Sequence, residues 1–168
     1  MLEMDDMDMP QEGMVPDMGG DLKAETAKSL YITFANSYAM QFIAHGMHWN
    51  VTGPDFQEMH AFFNMIYSDV DGVTDDLAEN LRKLGFKAPC CLEELLDASE
   101  VSYEGGTTDP LEMTRALLAI NDKVNASVLD TFAKATAANE QGIANFMADR
   151  DDKHKKWSWQ MKSILGMN

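Results

Sequence analysis

The chain has 168 residues, 45% of them hydrophobic, which is a single-domain length with enough apolar material for a real core. Twenty-eight acidic residues against 13 basic ones give a net charge of −15. A field of that sign repels nucleic acid and anionic membranes and attracts cations, so it weighs against a DNA-coating role and suits a metal-handling one; an acidic surface that only keeps the chain soluble is the alternative.

Residues 1–20 carry Glu3, Asp5, Asp6, Asp8, Glu12 and Asp17, no Lys or Arg, and the methionines Met1, Met4, Met7, Met9, Met14 and Met18. Pro10, Pro16 and the Gly19-Gly20 pair punctuate them. Such a composition cannot bury enough apolar surface to offset the entropy of ordering, so a flexible tail is expected, separate from a folded domain at 21–168. The tail could also dock on a protein partner, or hold a soft metal such as Cu(I) through its thioethers.

A first helix is expected from about Leu22 to Trp49, with Leu22, Leu30, Phe34, Tyr38, Phe42 and His45 at helical spacing on one broad face. Asn50-Val51-Thr52-Gly53-Pro54 breaks it. A second helix follows from about Asp55 to Leu84, and Gly85 stands where a left-handed cap belongs. So short a break makes the two helices antiparallel neighbours.

A connection from Phe86 to Thr108 comes next, with one apolar helical turn inside it (Cys91 to Leu96) and a Gly105-Gly106 break. It holds both cysteines of the chain, Cys90 and Cys91. Adjacent cysteines are poorly placed to pair with each other, so reduced thiols acting as small packing residues are expected, in a cytoplasmic setting. No run of 18 apolar residues occurs and the N-terminus lacks the basic-then-apolar pattern of a secretion signal, which points the same way.

Asp109 as N-cap, Pro110 at the first helical position and Glu112 completing a capping box open a third helix that runs to about Ala138. Asn139 marks a tight turn, and a fourth helix ends near Leu165 before Gly166. Two long helices, a long crossover and two more long helices make an all-α chain. A crossover of that length can travel the whole bundle and set the second and third helices parallel, the ferritin-like form of the four-helix bundle, here with a short helix in the crossover.

The densest set of potential ligands lies between residues 45 and 79. His48 ends the first helix, His60 is two turns into the second, and Asp75 and Glu79 stand one turn apart on one face. From His60 to Asp75 is 15 residues, roughly 22 Å along a helix at 1.5 Å each. One chain cannot bring these groups to one metal. A two-fold axis crossing the second helix near residue 69, with Gly72 close by to allow tight contact, would lay two copies antiparallel and set His60 of one beside Asp75 and Glu79 of the other. If the four residues act together, the protein is at least a dimer.

The stretch His48-Trp49-Asn50-Val51-Thr52-Gly53-Pro54-Asp55-Phe56, then Met59-His60, then Asp75 to Gly85, resembles the signature of the Dps family, the DNA-binding proteins from starved cells. Trp159 to Gly166 is similar to that family's closing helix. The resemblance implies a hollow dodecamer that oxidises Fe(II), usually with hydrogen peroxide, and stores the ferric mineral inside. It places iron between two-fold-related subunits, with His48, His60, Asp75 and Glu79 matching family ligands. Four residues after His60, where the family usually has Asp, this chain has Asn64, a neutral and weaker ligand.

His45 matches a histidine present in some members, as a further ligand or a supporting contact. Trp49 resembles a tryptophan beside the family's iron site; filling the core is its other reading. The segment Asn139 to Asn145 is similar to the family's pore-lining turn, with Glu140 kept and an expected Asp replaced by Asn145. The lysine-rich tail of DNA-binding members is missing, and the basic cluster Arg150, Lys153, Lys155 and Lys156 is offset by Asp149, Asp151 and Asp152, so DNA binding is not expected. The rival reading is a ferritin-like scaffold with a weakened metal site, docked to a larger assembly through its tail. A di-iron oxygenase would need Glu-x-x-His motifs on two helices, and the sequence has none.

Overall fold

The structure, a computed structural model, describes residues 21–167. The expected acidic tail therefore lies outside the described residues. Six helices follow in order: α1 (Leu22–Asn50), α2 (Phe56–Asp71), α3 (Thr74–Lys83), α4 (Leu92–Ala98), α5 (Pro110–Ala137) and α6 (Gln141–Ile164). There is no strand among the described residues, and no described helix is long and apolar enough to cross a membrane.

The helix ends follow local chemistry. Asp21 Oδ1 accepts from the Ala24 N–H at 2.7 Å, and Asp109 Oδ1 from that of Glu112 at 2.8 Å. The other half of the expected capping box is not made. The Glu112 carboxylate accepts from the Thr107 hydroxyl at 2.6 Å, and that same hydroxyl oxygen takes the Asp109 N–H at 3.1 Å, so Thr107 stands between the two capping groups. Gly85 (φ 93°) and Asn139 (φ 61°) adopt the left-handed conformation that ends α3 and turns α5 into α6.

The expected second helix is interrupted at Gly72-Val73, between α2 and α3. Gly72, Val73 and Thr74 are weak helix formers in succession. The chain takes one tighter turn there: the Val73 N–H reaches Val70 O at 3.3 Å, and the Thr74 hydroxyl donates to Asp71 O at 2.8 Å, covering a carbonyl the break leaves unpaired.

Side-chain contacts fix the directions of the helices. His48 meets His60 and His45 meets Tyr67, so α1 and α2 are antiparallel. Ser29 and Thr33 meet Thr131 while Thr52 meets Thr108, so α1 and α5 are antiparallel too. Hence α2 and α5 are parallel, as the crossover requires. Asn121 to His154 and Asn125 to Asp151 set α6 antiparallel to α5.

The core has two halves. One gathers Leu30, Phe34, Leu77, Leu81, Val128 and Met147. The other gathers Met40, Met47, Phe63, Ile66, Leu117 and Trp157. The apolar face expected on α1 is only partly buried: Leu30 and Phe34 are inside, but Leu22 and Phe42 are 59% and 64% exposed. Helix α1 touches α2, α3, α4 and α5, so it is enclosed on most sides and buries Thr26, Ser29, Thr33, Asn36 and Ser37 as well. Most of these polar groups are hydrogen-bonded, while the buried Asn36 Nδ2 has no partner among the described residues. The Ser29 hydroxyl donates to Asp130 at 2.6 Å, and Asn36 Oδ1 accepts the Glu100 N–H at 2.7 Å, tying the end of the crossover to α1. Cys90 and Cys91 are both free and exposed, not packing residues, because they precede α4 on the surface side of the crossover.

Helices α5 and α6 share a buried polar staple. His154 Nδ1 donates to Asn121 Oδ1 at 2.7 Å, and Asn121 Nδ2 donates to His154 O at 2.9 Å and to Ser158 Oγ at 2.8 Å. Burial pushes the His154 imidazole down to about 3, helped by the nearby Arg150 charge and opposed by Asp69 and Asp151. Arg150 is itself buried, so the expected basic cluster is not all free surface. Its guanidinium donates to Asp69 Oδ1 at 2.6 Å and lies 5.4 Å from the Trp157 ring centre. Lys153 takes the other Asp69 oxygen at 3.0 Å. Burial alone would raise the Asp69 carboxyl, but hydrogen bonds from Arg150 and Lys153 outweigh it and hold the group below its ordinary range.

Candidate metal centre

The site begins with an unpaired carbonyl. At the end of α1, the Val51 N–H bonds to Met47 O, and the Thr52 N–H turns away to Thr108 O. The His48 carbonyl is thus left without a helical donor. His60 Nδ1 supplies one at 2.8 Å, and His48 Nδ1 donates in return to His60 O at 2.9 Å. Carbonyl oxygens only accept, so both Nδ1 atoms carry hydrogen, and in the neutral ring each Nε2 keeps its lone pair. This is the tautomer a divalent cation takes, held by the backbone contact that commonly supports ligating histidines. The two rings stack with centroids 3.6 Å apart, and Phe56 lies against His60 at 4.9 Å.

His45 sits one turn before His48. Its ring stacks on Tyr67 and meets Trp49 at a tilt, each with its centroid 4.0 Å away, and lies 6.0 Å from His48. Trp49 is 58% exposed and covers His45; it does not fill the core. Asn64 follows His60 by one turn, and its Oδ1 accepts from the Tyr67 hydroxyl at 2.8 Å.

Asp75 and Glu79 are exposed on α3, whose neighbours Leu77 and Leu81 belong to the opposite half of the core from the histidines. Among the described residues, no group of three or more His, Cys, Asp or Glu side chains is gathered closely enough to hold a metal ion. Within one chain, His48 and His60 are brought together, with Asn64 one turn further on, while Asp75 and Glu79 are not. Tyr67 is the neighbour that the sequence reading missed. Its signal was present, since His60, Asn64 and Tyr67 fall at i, i+4 and i+7, one face of α2. Glu140, from the pore-like segment, lines a small cavity of about 370 Å³ with Asp76, Asn80 and Lys83; Asn145 is exposed.

An apolar groove of about 880 Å³ runs along the face of α1 beside the crossover, lined by Tyr38, Phe42, Ile43, Leu92, Leu96 and Tyr103. Phe42, Leu92 and Leu96 are exposed there, with Trp49 exposed further along α1. Exposed apolar surface of this kind is found at interaction sites.

Known proteins share this fold. The chain is 26% identical over 133 residues to a DNA protection during starvation protein of Brevibacillus brevis, covering 78% of this chain and 88% of the relative. Its structure is similar to that of the Vibrio cholerae Dps protein, described as a member of a broad superfamily of ferritin-like diiron-carboxylate proteins. The TM-score is 0.82 at 24% identity, over 86% of this chain and 91% of that one. Antigen TpF1 of Treponema pallidum superposes with a TM-score of 0.83 at 19% identity, over 93% and 99% of the two chains. The ferritin-like domain family matches residues 27–167, and the chain belongs to that family, with Dps-named proteins among its relatives.

Proposed function

We propose that the chain is a mini-ferritin. It binds Fe(II) at a site built from His48 and His60 of one copy and Asp75 and Glu79 of a second, oxidises it at the expense of peroxide, and stores ferric iron inside a closed shell, a dodecamer by its likeness to Dps. The observation that carries this reading is the reciprocal His48–His60 clamp, which leaves both Nε2 atoms ready for a cation in a cluster that has no carboxylate of its own. The exposed Asp75–Glu79 pair at the other end of the same helical hairpin has the charge the histidines lack, and a two-fold axis brings the two together. The apolar groove beside α1 is where the second copy seats.

In this arrangement, iron is the substrate. Two carboxylates offset the charge of one divalent ion, and the imidazole nitrogens complete a mixed oxygen and nitrogen ligand set suited to iron. An anaerobic Fe(II) titration of the sized oligomer, followed by peroxide, tests the reading. Saturable binding followed by peroxide-dependent oxidation is expected. A monomer that binds no Fe(II) contradicts it.

The acidic surface gives a further expectation. DNA affinity comes mainly from Lys and Arg neutralising phosphates, and Arg150 and Lys153 already pair with Asp69 while Lys155 pairs with Asp151. No retardation of plasmid by low micromolar protein is expected in a gel shift at about 150 mM salt. A clear shift under those conditions would show an unrecognised basic surface.

A further inference from the structure

The Asn64–Tyr67 pair gives the proposed site a property that neither the ligand set nor the fold specifies. This inference rests on the shared-site reading above. Tyr67 is the hub of the cluster: its ring stacks on His45 at 4.0 Å, meets His48 edge-on at 5.3 Å, and its hydroxyl donates to Asn64 Oδ1 at 2.8 Å. The oxygen that would make Asn64 a metal ligand is therefore turned to the Tyr67 hydroxyl, which takes one of its two lone pairs. The exposed Asn64 Nδ2 group keeps two N–H donors. N–H donors oppose a cation and favour an oxygen ligand.

Charge points the same way. His45, His48, Trp49, His60, Asn64 and Tyr67 supply no negative charge, so Asp75 and Glu79 of a second copy must supply all of it, enough to neutralise one divalent ion and to leave a second weakly held.

We propose that Tyr67 is a positioning residue that fixes Asn64 as a hydrogen-bond donor, so that each shared site takes a single divalent cation tightly and the Asn64 amide faces an oxygen ligand of that ion, such as water or peroxide. The carboxamide does not serve as a ligand to a second metal.

Co(II), which is not oxidised under the conditions of titration and whose visible spectrum reports its coordination, is the probe. The intact oligomer is titrated by calorimetry and absorbance as wild type, Tyr67→Phe and Asn64→Asp. Tyr67→Phe keeps the stacked ring and removes one oxygen, and light scattering confirms that the oligomer is retained. The wild type binds about one Co(II) per chain, since each two-fold pair holds two sites. In Tyr67→Phe the freed Oδ1 strengthens the weak second binding about tenfold, the scale of one hydrogen bond. In Asn64→Asp the second ion binds tighter still.

The proposal is overturned if the wild type takes two Co(II) per chain tightly. It is also overturned if Tyr67→Phe titrates like the wild type while Asn64→Asp gains an ion, because Asn64 then acts without Tyr67. A wild type that takes no Co(II) removes the shared-site reading itself, and this inference with it.

Discussion

Replacing Glu79 with alanine should remove Fe(II) binding from the proposed shared site, with a loss in affinity of more than about 100-fold, above what the removal of a merely supporting partner costs. The histidine cluster has no carboxylate to substitute for it, and one remaining charge on Asp75 cannot offset a divalent ion. Glu79 is exposed in the chain, so its truncation should change folding stability by no more than about 0.5 kcal/mol. Anaerobic calorimetry with Fe(II) checks this, with circular dichroism as the folding control. Unchanged affinity in Glu79→Ala, with Asp75→Ala equally silent, would leave the scaffold reading in place of the iron-binding one.

The second large effect is on stability. His154 is buried and neutral, with its pKa depressed to about 3 from the ordinary 6.5. Between those two values the unfolded chain binds a proton at this position and the folded chain does not. Stability therefore falls as pH drops from about 6.5 towards 3, and the contribution of neutral His154 is complete above 6.5. The Asp69, Asp130 and Asp151 carboxyls, also held below their ordinary range, add their losses at lower pH, each as it protonates.

Asn121→Ala should cost about 1–3 kcal/mol, because it strands the buried His154 Nδ1–H. It should also move acid unfolding to higher pH. Denaturant unfolding monitored by far-ultraviolet ellipticity from pH 7 to pH 4 measures both effects. A pH-independent midpoint over that range would show that His154 is not held neutral by the fold.

The helical frame was legible because its signals are local. Asp109-Pro110, Gly85 and Asn139 each need only their neighbours to act, and each ends or starts a helix where the sequence places it. The break at Gly72-Val73 escaped notice because the apolar spacing carries on across it from Val70 to Leu77, and spacing alone does not register a single tight turn. The face of α1 was misjudged for a different reason. A helix enclosed by four neighbours has no single apolar side, and the hydroxyls of Ser29 and Thr33 are buried because Thr131 and Asp130 on α5 satisfy them, a partnership 98 to 102 residues apart in sequence.

Within the candidate site, the pairing of His48 with His60 was readable from the antiparallel turn between their helices. The tautomers were not, since they depend on which carbonyl the end of α1 leaves bare. Nor was the engagement of Asn64 by Tyr67, which needs a rotamer rather than a spacing. The buried Asn121–His154 staple lay hidden in a stretch of α6 that reads as charged surface, where Arg150 and His154 are in fact inside.

The sharing of one site by two copies is tested most directly by mixed assembly. One variant lacks the acids (Asp75→Ala with Glu79→Ala) and a second lacks the histidines (His48→Ala with His60→Ala). Assembled alone, neither binds Fe(II) at the site. Dissociated, mixed in equal amounts and reassembled, the pair forms hybrid dimers in which intact histidines of one copy face intact acids of the other. Random pairing restores about a quarter of the sites. Recovery of that fraction in an anaerobic Fe(II) titration is the predicted result. No recovery in shells shown by mass spectrometry to contain both variants would contradict the shared site.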